Sequence, residues 1–247
     1  MKTIIIAAGK GQRISDEFKD MPKSLIPIND ETIFDRQKNV FKNKNISNMV
    51  VITGPENKFS DKNITYVQDK ENEKHDILGS LLVAKEYLND ELIISYSDII
   101  FEDKIIQQLL DTEGDIVIAV DLNWKIAYEG RTEHPLSEAE NVLLNNKNQI
   151  LKIKKNIQNN NQIIGEFLGL IKMTEKGSRM FLEKIEDLEI NHRGPFHNAV
   201  SLEKGYLTDM IQELIDSSIE VTPSFIVGKW CEIDTKQDYE RAKKLFV

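Results

Sequence analysis

The sequence has little cysteine, no excess of positive charge and no long hydrophobic run. Its single cysteine, Cys231, excludes an internal disulfide and is most simply a core residue. Acidic residues outnumber basic ones by 41 to 32, giving a formal net charge of −9, and no basic stripe suited to nucleic acid is present. No apolar run approaches the roughly 18 residues that span a membrane. These absences predict that neither nucleic acid nor membrane is a partner.

A secretory leader is also missing from the pattern, because Met1 leads directly into a β-branched apolar run. With 40% hydrophobic and 30% charged residues, the composition predicts an ordered, cytoplasmic protein with a substantial core. Neither an internal repeat nor a linker divides the 247 residues. We therefore predict one domain over residues 1–247. The oligomeric state is left open, a homodimer being one option.

Short runs rich in Val and Ile alternate with stretches of helical apolar spacing. This alternation predicts an α/β fold, a Rossmann-like, doubly wound, mostly parallel sheet with helices on both faces. A strand–turn–strand pattern predicts a small antiparallel β insertion in the second half. The predicted strands cover 3–8, 48–53, 64–67, 92–95, 115–120, 141–153 (the hairpin), 167–173 and 220–227. The predicted helices cover 30–44, 75–88, 103–111, 174–185, 206–216 and 235–246.

The loop after the first predicted strand carries the first candidate site. Gly9 and Gly11 can adopt backbone angles forbidden to other residues. The loop can therefore present consecutive N–H groups to phosphate oxygens. Arg13 adds a fork-shaped guanidinium, and Lys23 adds a mobile point charge. A plain tight turn explains a lone Gly-x-Gly pattern about equally well. The residues of this loop are Ala7, Ala8, Gly9, Lys10, Gly11, Gln12 and Arg13.

Two common phosphate-binding motifs do not fit this loop. A Walker A loop would continue with Gly-Lys-Ser/Thr, and the dinucleotide pattern would require a third glycine. What remains is a triphosphate cradle with two cations and no built-in hydroxyl for Mg²⁺. This combination predicts cleavage between the α- and β-phosphates, with metal ligands supplied from elsewhere in the chain.

Two acidic positions are candidate ligands for a hard cation, which prefers oxygen donors. Asp98 follows the predicted strand 92–95, where open α/β sheets bind ligands, although such an acid can also cap a helix. Asp234 lies two residues after Glu232, so both acids would face one side of a strand. The alternative is that Asp234 or Thr235 only caps the last helix.

Taken together, these motifs resemble those of the nucleotidyltransferase family that includes the sugar-1-phosphate nucleotidylyltransferases. The likeness covers nearly the whole chain, and the motifs occur in the family's order and spacing. One departure is Ser97, where the family usually has glycine before the metal aspartate. The matching residues are Ala7-Ala8-Gly9, Gly11, Arg13, Pro22-Lys23, Asp98 and the segment Trp230…Glu232-Ile233-Asp234-Thr235.

The resemblance implies roles for these residues. Asp98 and Asp234 would hold Mg²⁺, while Arg13 and Lys23 would hold phosphates; these four form the implied catalytic set. The nucleotide-binding residues implied are Ala7, Ala8 and the rest of the loop to Arg13, with Gly79 and Ser80 at the edge of the base.

Within the family, the chain looks most like short cytidylyltransferases that act on phosphocholine or phosphonates, because no β-helix tail or acyltransferase appendage follows. The segment 120–135 is similar to the domain that accompanies phosphoenolpyruvate mutase in phosphonate pathways. That resemblance implies CTP as co-substrate and a CMP conjugate of 2-aminoethylphosphonate or 2-hydroxyethylphosphonate as product.

The same segment supplies candidate substrate contacts. Trp124, Tyr128, Arg131 and His134 mix aromatic and cationic groups suited to a small anionic head group. The spacing of Trp124 and Tyr128 fits simple packing equally well.

Further candidates lie outside this segment. Glu166 and Asp209 could meet a substrate ammonium, although Asp209 is more simply an acid on a helix face. Glu232 is a further candidate for substrate binding. The cluster at 192–197, containing His192, Arg193 and His197, fits a lid and a solvated surface equally well.

A mechanism follows from these parts. A phosphonate or phosphate oxygen would attack the α-phosphorus of CTP in line and release pyrophosphate, and no general base is required because the nucleophile is already an anion. Two alternatives stay open: a sugar-1-phosphate nucleotidylyltransferase using UTP, dTTP or CTP, and a non-catalytic nucleotide-binding regulator.

Overall fold

A nine-stranded sheet forms the centre of the molecule, which a computed structural model describes over residues 1–9, 14–158 and 162–247. The strands are β1 Lys2–Ala7, β2 Pro27–Ile28, β3 Glu31–Thr32, β4 Asn48–Thr53, β5 Thr65–Gln68, β6 Leu92–Tyr96, β7 Ile99–Phe101, β8 Ile116–Asp121, β9 Glu140–Leu144, β10 Ile150–Lys155, β11 Ile163–Met173, β12 Thr222–Phe225 and β13 Trp230–Glu232. The α-helices are α1 Ile33–Asn43, α2 Ile77–Val83, α3 Asp103–Asp111, α4 Glu175–Asn191, α5 Leu207–Asp216 and α6 Lys236–Leu245. None of these helices combines the length and apolarity needed to cross a bilayer.

The main sheet has the order β10-β9-β11-β6-β1-β4-β5, with β8 pairing β11 and β12 pairing β8. Strands β1, β4, β5 and β6 are mutually parallel, and β8, β9 and β12 share their direction because each is related to them through the antiparallel β11. The hairpin β9–β10 is antiparallel. The predicted mostly parallel sheet with an antiparallel insertion in the second half is therefore confirmed.

Alternation along β1 explains why helices cover both faces. Ile4 and Ile6 pack into the apolar cluster that contains residues of α2, α4 and α5. Ile5 and Ala7 point the other way, into the cluster formed with α1 and α3. Every residue of β1 is buried, as expected for a strand with helices on both sides.

Some boundaries differ from the sequence prediction. The helix expected at 174–185 runs to Asn191, because Leu188 continues its buried face beyond a charged stretch. The helix expected to reach residue 88 ends at Val83 and is followed by a 3₁₀ turn, Lys85–Tyr87. Strands β7 and β13, three residues each, were not predicted as a pair, yet they form a separate antiparallel ribbon.

A bulge in β11 shapes the sheet beside Tyr96. The pairing of β11 with β8 shifts register between Phe167 and Ile171. Within this interval Gly169 has φ of +70°, and a Cβ there would collide with the Tyr96 ring. Glycine is thus required both by the backbone angle and by the close approach of the aromatic ring.

Candidate active site

An open cavity of about 760 Å³ lies at the carboxyl ends of β1 and β6. This is the edge at which sheets of this type bind ligands. The cavity brings together many of the residues singled out from the sequence. Those that line it are Ala8, Gly9, Lys23, Ser80, Asp98, His134, Glu166, Glu232 and Asp234.

The loop after β1 forms one edge of the cavity. Gly9 is exposed, and its carbonyl oxygen accepts a hydrogen bond from the Lys23 backbone N–H at 3.3 Å. Ala7 belongs to the core and does not line the cavity, so its assignment as a nucleotide contact stays a prediction. The predictions for Lys10, Gly11, Gln12 and Arg13 fall on residues outside the described ranges.

Lys23 joins the two predicted metal ligands. Its ammonium donates to Asp98 Oδ2 at 3.0 Å and to Asp234 Oδ1. Burial alone would lower the pKa of Lys23, but the Asp98 and Asp234 carboxylates outweigh it and hold the pKa above its usual value. Lys23 is therefore a fixed positive charge between two carboxylates from distant parts of the chain.

Pairing of β7 with β13 brings these carboxylates together. Glu232 lies opposite Ile99, and the Ile233 N–H donates to the Asp98 carbonyl oxygen at 2.8 Å. The connection leaves both aspartates at the mouth of the cavity, next to each other although far apart in sequence.

Neither Asp98 nor Asp234 is the N-cap of a helix, whereas the capping role that the sequence also allows for Thr235 is confirmed. The residue that precedes α3 as its N-cap is Glu102, not Asp98. The N-cap of α6 is Thr235, whose hydroxyl accepts from the Asp238 N–H at 3.2 Å. Asp234, one residue earlier, directs its carboxylate to Lys23.

His134 adds a third group to the same corner. Its Nε2 lies 3.7 Å from Glu232 Oε2, and its Nδ1 lies 3.5 Å from Asp234 Oδ2. Burial, and then the positive charge of Arg131, lowers the pKa of His134. Burial raises the pKa of Glu232 well above its usual value, and Asp234 and Asp98 add to this effect. Glu232 and Asp234 do face the same side, as their spacing predicts.

This corner fits a hard cation. Asp98 and Asp234 already hold one cation between them, the Lys23 ammonium, and both offer the oxygen donors that Mg²⁺ prefers. A ligand atom from each of His134, Glu232 and Asp234 also lies within 4.8 Å of the others. The assignment of Asp98 and Asp234 to Mg²⁺ stays a prediction that this geometry fits.

Trp124, Tyr128 and Arg131 do not line the cavity, so their assignment as substrate contacts stays a prediction. The Trp124 indole is buried and donates to the Ile164 carbonyl oxygen at 3.0 Å. Arg131 stacks 4.6 Å from the centre of the Tyr128 ring and pairs with Asp238 at 2.7 Å. Trp124 therefore packs in the core, as the alternative interpretation of its spacing predicts. Arg131 supports the connection between β13 and α6 through its ion pair with Asp238.

Glu166 reaches the cavity from β11 with half of its carboxylate unsatisfied. Its side chain is buried, and the Tyr128 hydroxyl donates to Oε1 at 2.5 Å. Oε2 has no hydrogen-bond partner among the described residues. Burial raises the pKa of Glu166 to about 8 despite opposing contributions from Tyr128 and Arg131. A positive ligand beside the open oxygen would favour the ionised form of Glu166 and compensate for its burial.

The raised pKa predicts how stability depends on pH. The native protein holds a proton on Glu166 that the unfolded chain has lost between pH 4.5 and about 8, so the free energy of unfolding falls as pH rises through that window. The difference is on the order of a few kcal/mol. We expect the melting temperature of the wild type to fall more steeply between pH 5 and 8 than that of Glu166→Gln. Parallel curves would contradict the assignment.

Of the two residues predicted at the edge of the nucleobase, only Ser80 lines the cavity. Ser80 lines the cavity, and its hydroxyl donates to Asp69 Oδ2 at 2.8 Å. Gly79 does not line it, since this glycine lets α2 pack directly against the backbone of Glu203. Gly79 is therefore a packing position, and its assignment to the edge of the base stays a prediction.

The remaining candidates also lie away from the cavity. Asp209 caps α5, accepting from the Tyr206 N–H at 2.9 Å, rather than facing a substrate. His197 pairs with Glu213 at 3.0 Å. His192 and Arg193 line a smaller cavity of about 530 Å³, which shares His75 with the larger one. The lid role of this segment stays a prediction.

Sequence reasoning missed several polar residues of the site. Asp69 follows β5 just as Asp98 follows β6, so the rule applied to Asp98 would have found it. Asp238 stands three residues after Thr235, a capping-box spacing visible in the sequence. Glu140, which accepts from the Tyr96 hydroxyl at 3.1 Å, carries no local signal.

Comparison with known proteins gives matches over the whole chain. Residues 3–154 match the model of the MobA-like NTP transferase domain. The CTP:phosphoglutamine cytidylyltransferase of Campylobacter jejuni is 30% identical over 254 residues, covering 97% of this chain and 98% of that protein.

Solved structures share the fold at low identity. The inositol-1-phosphate CTP transferase of T. maritima has a TM-score of 0.72 at 18% identity, covering 99% of this chain and 95% of that one. The CTP:phosphocholine cytidylyltransferase of Streptococcus pneumoniae has a TM-score of 0.70 at 16% identity, covering 100% and 99%. At these identities the likeness concerns the fold alone.

Proposed function

Because the chain belongs to the MobA-like NTP transferase domain family, we propose that it is a Mg²⁺-dependent cytidylyltransferase that joins CMP to a small phosphonate or phosphorylated acceptor and releases pyrophosphate. The observation that carries this proposal is the pair of carboxylates, Asp98 and Asp234, that holds one cation at the cavity mouth. The relative from Campylobacter jejuni, by its name a CTP-dependent cytidylyltransferase, supports the choice of nucleotide.

The chemistry needs positioning more than proton transfer. An acceptor oxygen that is already anionic attacks the α-phosphorus in line with the leaving pyrophosphate. Mg²⁺, held by Asp98 and Asp234, would neutralise phosphate charge when bound. Lys23 offers a second positive charge to the triphosphate, and its backbone bond to Gly9 fixes it beside the loop after β1. His134, packed against Asp234, restrains the orientation of that carboxylate.

The acceptor carries a cationic head group in this proposal. Glu166 presents an unpartnered, buried carboxylate oxygen at the cavity, and Glu140 and Glu232 line the same space. Burial raises the pKa of Glu140 to about 7 because desolvation penalises its ionised form, and a positive ligand nearby would favour that form. These charges favour 2-aminoethylphosphonate or phosphocholine over 2-hydroxyethylphosphonate.

Pyrophosphate release with Mg²⁺ tests the proposal directly. The assay pairs each of the four common nucleoside triphosphates with 2-aminoethylphosphonate, 2-hydroxyethylphosphonate, phosphocholine and glucose-1-phosphate. We expect turnover with CTP and an acceptor that bears an ammonium. Turnover with glucose-1-phosphate alone would overturn the acceptor assignment in favour of a sugar-1-phosphate nucleotidylyltransferase. Nucleotide binding without any pyrophosphate release would favour a non-catalytic regulator.

The variant Glu166→Gln tests whether Glu166 recognises an ammonium group on the acceptor. Loss of a charged hydrogen bond to the ammonium should lower kcat/KM for 2-aminoethylphosphonate by about tenfold to a hundredfold, with little change for 2-hydroxyethylphosphonate. Glu102→Gln removes a carboxylate outside the cavity, at the start of α3, and serves as the control. Equal losses with both phosphonates would contradict recognition of the ammonium by Glu166.

A further inference from the structure

A fully buried carboxylate, Asp69, orients His75 at the wall of the cavity. His75 Nδ1 lies 2.9 and 3.0 Å from the two oxygens of Asp69. The same carboxylate accepts from the Ser80 hydroxyl at 2.8 Å and from the Glu71 backbone N–H at 3.1 Å. Because its acceptor positions are filled by fixed donors, the carboxylate holds the imidazole in one orientation.

The contact with Asp69 determines which ring nitrogen of His75 carries a hydrogen. An ionised carboxylate is an acceptor only, so Nδ1 must donate to it. In the neutral imidazole, Nε2 is then left as an acceptor. Nε2 makes no hydrogen bond with any other residue in the described parts of the chain. In its neutral form the ring therefore offers one oriented acceptor to a ligand.

His75 stands beside the loop that follows β1. It lines the cavity together with Ala8, Gly9 and Ser80. Asn72, three residues before His75, donates through Nδ2 to the Ala8 carbonyl oxygen at 3.1 Å. This bond ties the segment that carries His75 to the loop assigned to the nucleotide in the proposed function.

We propose that His75 Nε2 accepts a hydrogen bond from the exocyclic amine of cytosine and thereby selects CTP over UTP, with Asp69 and Ser80 as positioning residues. This inference rests on the proposed function. Uracil has a carbonyl oxygen in place of the amine, and two acceptors that face each other form no hydrogen bond. The discrimination therefore follows from the tautomer that Asp69 imposes.

The expected effect is a change in the ratio of CTP to UTP. A missing hydrogen bond in a buried site costs about tenfold to a hundredfold in affinity. We expect wild-type kcat/KM and affinity for CTP to exceed those for UTP by at least about tenfold. A CTP analogue with hydrogen in place of the amine should bind the wild type as weakly as UTP does.

Two substitutions of His75 distinguish a role in nucleobase recognition from a purely structural role. His75→Ala should lose affinity for CTP and leave UTP and the analogue little changed. His75→Gln reaches a similar distance and can present either its amide oxygen or its amide nitrogen, so it should keep CTP binding and gain UTP. His197→Ala is the control, because His197 also pairs with a carboxylate but lies outside the cavity.

The measurements are nucleotide affinity by calorimetry and kcat/KM by pyrophosphate release. An unchanged CTP-to-UTP ratio in both His75 variants would overturn the inference and leave a structural role. Wild-type binding of UTP as tightly as CTP would overturn it as well. Failure to release pyrophosphate with every acceptor would instead reject the proposed function, and the affinities would still decide the role of His75.

Discussion

Asp98→Asn is expected to lower kcat/KM for pyrophosphate release by about 10²- to 10³-fold while the protein stays folded. The substitution removes one of the two charges that would hold Mg²⁺ but keeps the size of the side chain. The Asp98 carbonyl oxygen would still accept from the Ile233 N–H, so the link between β6 and β13 is retained. Lys23 would also keep its second partner, Asp234.

The control for this variant is Asp115→Asn. Asp115 accepts from Thr174 at 2.8 Å and from Lys176 at 2.5 Å at the start of α4, away from the cavity. Both variants are compared with the wild type by steady-state kinetics and thermal melting, and Mn²⁺ binding gives a readout independent of turnover. Near-normal activity of a folded Asp98→Asn protein would reject Asp98 as a metal ligand.

Lys23→Met is expected to abolish most turnover, by about 10²-fold or more, and yet to strengthen divalent-cation binding by the nucleotide-free protein. In the wild type the Lys23 ammonium occupies the space between Asp98 and Asp234, and a cation must compete with it. Without the ammonium, two neighbouring carboxylates face each other uncompensated, which favours any cation that joins them.

Thermal melting with and without Mg²⁺ measures this competition. A ligand that binds the native state alone raises its stability, so Mg²⁺ should raise the melting temperature of Lys23→Met more than that of the wild type. Lys172→Met is the control, since Lys172 is also buried but donates to the carbonyl oxygens of Leu110 and Thr112. Equal Mg²⁺ effects in wild type and Lys23→Met would contradict competition at this position.

The sequence predicted the sheet well because its strands are continuous apolar runs. The run 2–7, for example, is buried on both faces, and no amphipathic helix produces that pattern. Strands β7 and β13 were not predicted as a pair, because three residues are too few to show the alternation of apolar and polar residues that marks a strand. Yet this short ribbon is what brings Asp98 and Asp234 to one place.

The site was harder to predict because local patterns do not report burial. A carboxylate before a helix gives the same sequence pattern whether it caps the helix or faces a cavity. For Asp234 the structure distinguishes these two roles, because the N-cap of α6 is Thr235. Trp124 and Tyr128 likewise have the composition of a binding surface but lie in the core. The dyad of Asp69 and His75 depends on a contact that no sequence spacing marks.

The corner formed by Lys23, Asp98 and Asp234 also has a consequence for how the chain folds. Lys23 is 75 residues from Asp98 and 211 residues from Asp234, so closing this corner joins regions near opposite ends of the sequence. Contacts of such long range form late and slowly, because the intervening chain must first be ordered. A growing polypeptide on the ribosome can therefore pair β1, β4 and β6 before Asp234 has been synthesised. Under the proposed function, divalent-cation affinity would then report closure of this corner rather than pairing of the first strands.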